Sequence, residues 1–171
     1  MNVSKHNKGQ ILVIGIGNIG RGDDGLGWKM ADNICEMKWD NVSVEYRYQL
    51  QVEDAQLVSE FPMVVFVDAS KEKLPGGYSW QPCKPGDHYF YSSHMQSPET
   101  VLYLSETLYG KRPGAFILAI EGEKWDIGES LSKIAEQHFK RALSFILPLF
   151  KNKEGISQPI QMQSFEHQNQ P

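Results

Sequence analysis

Cysteine is scarce in this chain: Cys35 and Cys83 are the only two in 171 residues. Two thiols cannot build a zinc ribbon or a disulfide framework, and two reduced cysteines in a reducing compartment are expected. No apolar run approaches the ~20 residues that cross a bilayer. The first ten residues are polar, with no apolar stretch of the secretory kind, so a cytoplasmic protein is expected. Neither sign of charge dominates, with 17 Lys and Arg against 21 Asp and Glu and a net charge of −4. That balance leaves no basic footprint for nucleic acid. There is no His-Glu-x-x-His helix to hold a resident zinc. Ser70, Ser92 and Ser93 lie near candidate residues but lack the nucleophile-turn pattern. No internal repeat is visible. What remains is a soluble chain long enough for one full core.

The pattern that is present alternates strands and helices. Ile11–Ile16, Met63–Val67 and Ala115–Ile120 are short unbroken apolar runs rich in β-branched residues. Such runs suit parallel strands covered on both faces. Ser43–Tyr48 alternates and reads as a strand nearer an edge, and Tyr78–Pro82 is a weaker strand after the Pro75-Gly76-Gly77 turn. Helical patterns run over Leu26–Met37 and Val52–Phe61, the second stopped by Pro62. Ser97-Pro98-Glu99 is a capped helix start, and Gly110 ends that helix after Tyr109. Leu131, Ile134, Ala135, Phe139, Ala142, Leu143 and Ile146 share one face of a late helix. The expected fold is α/β, a single domain with a twisted, mostly parallel sheet flanked by helices on both faces. It divides into a polar segment over 1–10, the folded domain over 11–150, and a Gln-rich polar tail over 151–171.

One turn concentrates the chemistry. After the first strand comes Gly15-Ile16-Gly17-Asn18-Ile19-Gly20-Arg21-Gly22-Asp23-Asp24-Gly25-Leu26-Gly27. Gly15, Gly17 and Gly20 formally satisfy the dinucleotide pattern G-x-G-x-x-G, a weak signal when alone. Asp23 and Asp24 argue against it, since like charges near a pyrophosphate cost about 1 to 4 kcal/mol each at surface dielectrics. The second strand also ends at Gln49 rather than at an acid to hold a ribose. A carboxylate pair in this turn attracts a cation. One of the two, with Asp23 the better placed, is also suited to capping the helix that follows.

Asp68 follows the most apolar strand, and in a parallel sheet such ends line the ligand crevice. If the first and third strands are neighbours, Asp24 and Asp68 face one crevice. A local role for Asp68, closing the next turn through Ser70 or its own backbone, is the alternative. Of five histidines, His6 and His167 lie in the polar ends, and His138 sits close to the apolar face of the last helix. His88 and His94 lie in a long polar, aromatic-rich loop over 84–96. Either could join the two carboxylates in an N/O site suited to nickel or zinc, with a position left open for a substrate atom.

These residues resemble the hydrogenase maturation endopeptidases, the proteases that trim the C-terminal extension from the large subunit of nickel–iron hydrogenases. The resemblance spans about Gln10 to Leu147. It is carried first by Gly15-x-Gly17-Asn18-x-x-Arg21-Gly22-Asp23-Asp24-Gly25-x-Gly27. Val67-Asp68-Ala69 resembles the second family motif and His94 with Ser97-Pro98 the third. Leu108-Tyr109-Gly110, Pro113, Gly122 and Gly128-Glu129-Ser130-Leu131-Ser132 also match. Some members carry Asp-Gly-Gly after the second strand. Here Tyr48-Gln49-Leu50-Gln51-Val52-Glu53-Asp54-Ala55 is more similar to the His-Gln-Leu-x-Pro-Glu-Leu-Ala form of proteases serving soluble, cofactor-reducing hydrogenases, with Tyr48 in place of the histidine and Val52 in place of the proline.

The resemblance implies a sheet between helices and a single hydrolytic cut in a folded precursor. It implies that Asp24, Asp68 and His94 contact nickel, which belongs to the substrate's thiolates. No cofactor is resident, the partner is the large-subunit precursor, and a monomer is expected. Asp24 or Asp68 is the candidate catalytic base for the attacking water. A docking or nickel-sensing protein that does not cut, and a nucleotide-dependent enzyme using the glycine turn, are the competing expectations.

Overall fold

The computed structural model describes residues 10–87, 96–128 and 130–151. In chain order the elements are β1 (Ile11–Ile16), α1 (Leu26–Glu36), β2 (Val42–Arg47), α2 (Asp54–Ser59), β3 (Met63–Ser70), β4 (Tyr78–Pro82), α3 (Pro98–Tyr109), β5 (Gly114–Glu121) and α4 (Lys133–Lys151). One-turn 3-10 helices occupy Gly22–Gly25 and Pro75–Gly77.

The three unbroken apolar runs become the three central strands, because only strands covered on both faces can bury every side chain. The sheet order is β2-β1-β3-β5-β4, with β4 antiparallel and the rest parallel. Alternate residues of the strands feed two cores. On one face Val13, Val65, Val67, Leu118 and Ile120 meet α1 and α4 through Met30, Ile34, Phe139 and Ile146. On the other, Leu12, Ile14, Val64 and Phe66 meet α2 and α3 through Val58, Val101 and Leu102. The expected sheet with helices on both faces is present. Among the described residues no helix is long and apolar enough to cross a membrane.

Local signals hold where capping chemistry is explicit. The Ser97 hydroxyl accepts from the Thr100 amide at 3.2 Å, Pro98 opens α3, and Gly110 closes it at φ 63°. Elsewhere tertiary contacts moved the boundaries. β3 runs three residues past Val67, because β5 pairs with it from Met63 through to Ser70. Asp68 therefore stands inside the strand rather than after it. α2 begins two residues later than expected. Asp54 spends its carboxylate on the Gln51 amide at 2.8 Å and the Arg47 guanidinium at 2.8 Å, which holds Gln51–Glu53 in a turn. The expected domain boundary at 150 falls within the last turn of α4, and 1–9 and 152–171 lie outside the described residues.

The strand order creates the crevice. From β1 the chain crosses outward to β2, then returns past β1 to β3. Chain leaves the C-terminal ends of β1 and β3 in opposite senses, the switch point where α/β folds place their sites. α1 starts there, pressed onto both strand ends at Gly27, where a β-carbon would run into the carbonyl oxygens of Ile16 and Val67. Gly27→Ala should therefore push α1 off the sheet. A loss of about 1–3 kcal/mol, the usual cost of overpacking, is expected in the urea midpoint.

Candidate functional site

Backbone hydrogen bonds shape the turn after β1. Gly17 sits at φ 133°, and a β-carbon on it would collide with the Asp24 carbonyl oxygen. That close approach lets the Asn18 amide donate to the Asp24 carbonyl at 3.1 Å. The Asn18 side chain accepts from the Gly20 amide at 2.9 Å, the usual local use of asparagine in turns. Gly17 donates to Arg47, Arg21 to Asn18, Gly22 to Gly128, Asp23 to Lys124 and Asp24 to Arg21, all through backbone N–H and carbonyl groups. A phosphate-cradling turn needs these amides pointing outward and free. Here seven of them are committed to protein oxygens, so the glycine turn does not offer a dinucleotide its cradle. At the end of β2 stands Arg47, ion-paired with Asp54 and Glu45, where a ribose would need an acid.

The two acids of the turn diverge. Asp23 is fully buried. Its Oδ2 accepts from the amides of Glu123 (2.7 Å) and Lys124 (2.8 Å) and from the Ser132 hydroxyl (2.7 Å), and its Oδ1 accepts from the Ser132 amide (2.7 Å). Burial works to raise its pKa, but the bonds from Lys124, Glu123 and Ser132 outweigh burial and hold it below the ordinary carboxylate value. The expectation that Asp23 caps the following helix is corrected. Neither the 3-10 turn nor α1 has a side-chain cap at its N-terminus. Asp23 instead joins the turn to the segment after β5, a hundred residues on. Ser132 was noted only as part of a motif, yet its hydroxyl also accepts from the Ala135 amide at 3.1 Å and caps α4. A serine three residues before that amide, at the edge of an amphipathic run, was the signal available in the sequence.

Asp24 is half-buried, and among the described residues nothing hydrogen-bonds its carboxylate. Asp68 is half-buried on β3, beside β1. Its Oδ1 accepts from the Ala69 amide at 2.8 Å, a local bond that leaves its other oxygen available. Burial pushes the Asp68 carboxyl up from 3.8 to about 7. The Ala69 bond opposes that shift and the neighbouring Asp24 charge adds to it. Asp24, in the turn after β1, is thus near enough to Asp68 on the adjacent β3 for the two charges to interact. Two carboxylates that repel each other, with the Ala69 amide their one donor among the described residues, are suited to a cation or a proton.

His94 and His88 lie outside the described residues. Gln96, which follows His94 by two positions, is held at the same end of the sheet: its amide donates to the Leu50 carbonyl at 3.2 Å, three residues beyond β2. Among the described residues no group of three His, Cys, Asp or Glu side chains is placed to hold a metal ion. His138 is half-buried as expected, its Nδ1 2.9 Å from the Glu121 carbonyl. Glu121 was not anticipated. It is buried at the end of β5 and pins the chain after β3, accepting from the Leu74 amide at 2.7 Å and from Lys73 at 2.9 Å. Both cysteines are free, Cys35 exposed and Cys83 buried.

No family model and no curated protein matches this chain. Solved structures do. The hydrogenase maturating endopeptidase HybD from E. coli is 19% identical over 84% of this chain and 93% of its own, with a TM-score of 0.67. The [NiFe] hydrogenase maturation protease HycI from Thermococcus kodakarensis KOD1 is 22% identical over 87% and 96%, with a TM-score of 0.63. The hydrogenase 2 maturation peptidase from Thaumarchaeota archaeon SCGC_AB-539-E09 is 18% identical over 82% and 97%, with a TM-score of 0.60. This chain has the fold of those proteins along nearly their whole length.

The raised Asp68 pKa makes stability fall with rising pH. Between about pH 4 and pH 7 the folded protein holds a proton on Asp68 that the unfolded chain has released, so the unfolded state gains on it across that window. Above pH 7 the penalty is complete. Asp68→Asn should match the parent at pH 4 and exceed it by about 1–3 kcal/mol at pH 8, after allowance for solvent screening. Urea midpoints at pH 4, 6 and 8 read this directly.

Proposed function

We propose that this chain is a hydrogenase maturation endopeptidase, a cytoplasmic monomer that removes the C-terminal extension of a nickel–iron hydrogenase large-subunit precursor after nickel insertion. The observation that carries the reading is the pairing of Asp24 and Asp68 at the switch point of a fold shared with such proteases. A carboxylate pair with one donor between them among the described residues suits a divalent cation presented by another protein. His94 supplies the third ligand. It is two residues from Gln96, so at most about 7 Å of chain separates it from a point anchored at the strand ends.

Nickel in this reading is part of the substrate, bound by the precursor's thiolates, and marks the precursor as ready for cutting. Hydrolysis adds the oxygen of a water to the scissile carbonyl carbon. One proton of that water passes to a carboxylate, and the leaving amine takes up a proton as the C–N bond breaks. Asp68 is the base better matched to neutral pH, because burial holds its carboxyl near 7. Asp24, with no hydrogen-bond partner among the described residues, is the better cation ligand.

Mixing the purified protein with nickel-loaded and nickel-free precursor tests this. Only the loaded form should lose its extension, as read by mass spectrometry. Asp24→Asn, nearly isosteric, should slow cutting by about a hundredfold or more while circular dichroism stays unchanged. Equal cutting of both precursor forms removes nickel recognition, and an intact precursor mass makes the protein a docking module.

A further inference from the structure

The Asp24 carboxylate has no side-chain or backbone donor of its own among the described residues, so its position is inherited from the backbone on either side. Upstream, its carbonyl is held by the Asn18 amide. Downstream of the turn lies α1, docked at Gly27. The third restraint is Asp23. Its four acceptor bonds run to Glu123, Lys124 and Ser132, and they are reinforced by backbone pairs from Gly22 to Gly128 at 2.6 Å, Asp23 to Lys124 at 2.8 Å and Gly128 to Gly20 at 3.0 Å. All four partners of the Asp23 side chain are donors. An asparagine would turn its NH2 toward at least one of them, so the site requires a carboxylate and not merely its shape. Ser132 in turn is locked by capping α4.

We propose that Asp23 is the positioning residue for Asp24: by clamping the Gly22–Gly25 turn onto the segment from Glu123 to Ser132, it fixes the Asp24 carboxylate beside Asp68. The inference deepens the reading of Asp24 as a ligand for the substrate's metal and rests on it. It also enlarges the site. The segment after β5, which carries none of the reacting groups, becomes the wall against which one of them is set. Partners of this kind around a metal ligand change affinity about 10- to 100-fold when removed.

The test uses Ni2+ alone as probe, by titration calorimetry on the full chain well below its melting temperature. Asp24→Asn should lose Ni2+ binding. Asp23→Asn should weaken it by about tenfold or more, and Ser132→Ala, which removes one of the four bonds, by less in the same direction. Val58→Ala, in the core on the opposite face, serves as a control for lost stability and should stay within about twofold of the parent. If Asp23→Asn and Ser132→Ala bind Ni2+ as the control does, Asp23 is only a structural residue and the proposal falls. If the parent itself binds no Ni2+, the nickel reading fails separately, and amide hydrogen exchange decides the Asp23 question. Asp23→Asn should speed exchange of the Asn18 amide, which donates to the Asp24 carbonyl, by about tenfold or more, while the Val58→Ala control leaves it unchanged. An Asn18 amide unmoved by Asp23→Asn overturns the proposal. Should Asp23→Asn fail to fold, Ser132→Ala carries both measurements.

Discussion

Burial of the Asp23 charge is the constraint on which the rest of the site depends. Taking a carboxylate out of water costs several kcal/mol before any partner is counted. Four donors at 2.7–2.8 Å offset that cost, each bond to a charged group contributing on the order of 1.5–3 kcal/mol. The lowered pKa says which side wins. Because the donors come from a segment a hundred residues away, the balance exists only in the folded chain. The turn after β1, the segment after β5 and the cap of α4 are therefore one cooperative unit rather than three loops.

The carboxylate pair of Asp24 and Asp68 is treated in the opposite way. Asp24 and Asp68 are set close enough for one charge to raise the pKa of the other, and neither is given enough donors to compensate. Left alone, such a pair destabilises the protein at neutral pH. A cation or a proton shared between the two carboxylates would relieve that repulsion. Stability is stored at Asp23 and spent at Asp24 and Asp68, one residue and one strand away.

Much of the architecture was legible in the residues themselves. Unbroken apolar runs named the central strands. Ser97-Pro98 and Gly110 bounded α3 to the residue, since capping depends on neighbours in the chain. The acid pair in the glycine turn argued against a dinucleotide on charge alone, and the committed amides agree. Boundaries failed where partners from elsewhere in the chain decided them, as at the end of β3, drawn out by β5, and at the start of α2, delayed by the bonds of Asp54. For Asp23, a local rule about helix starts suggested a cap, while the donors that claimed it were invisible at that range.

Periodicity, turn chemistry and charge thus settled which elements form and how they alternate, and the acid pair in the glycine turn argued against a phosphate there. These depend on residues within a few positions of one another. Only the folded chain could separate Asp23 from Asp24 in role. Adjacent in sequence and alike in chemistry, they differ because one meets a ring of distant donors and the other meets a second carboxylate across the β1–β3 seam.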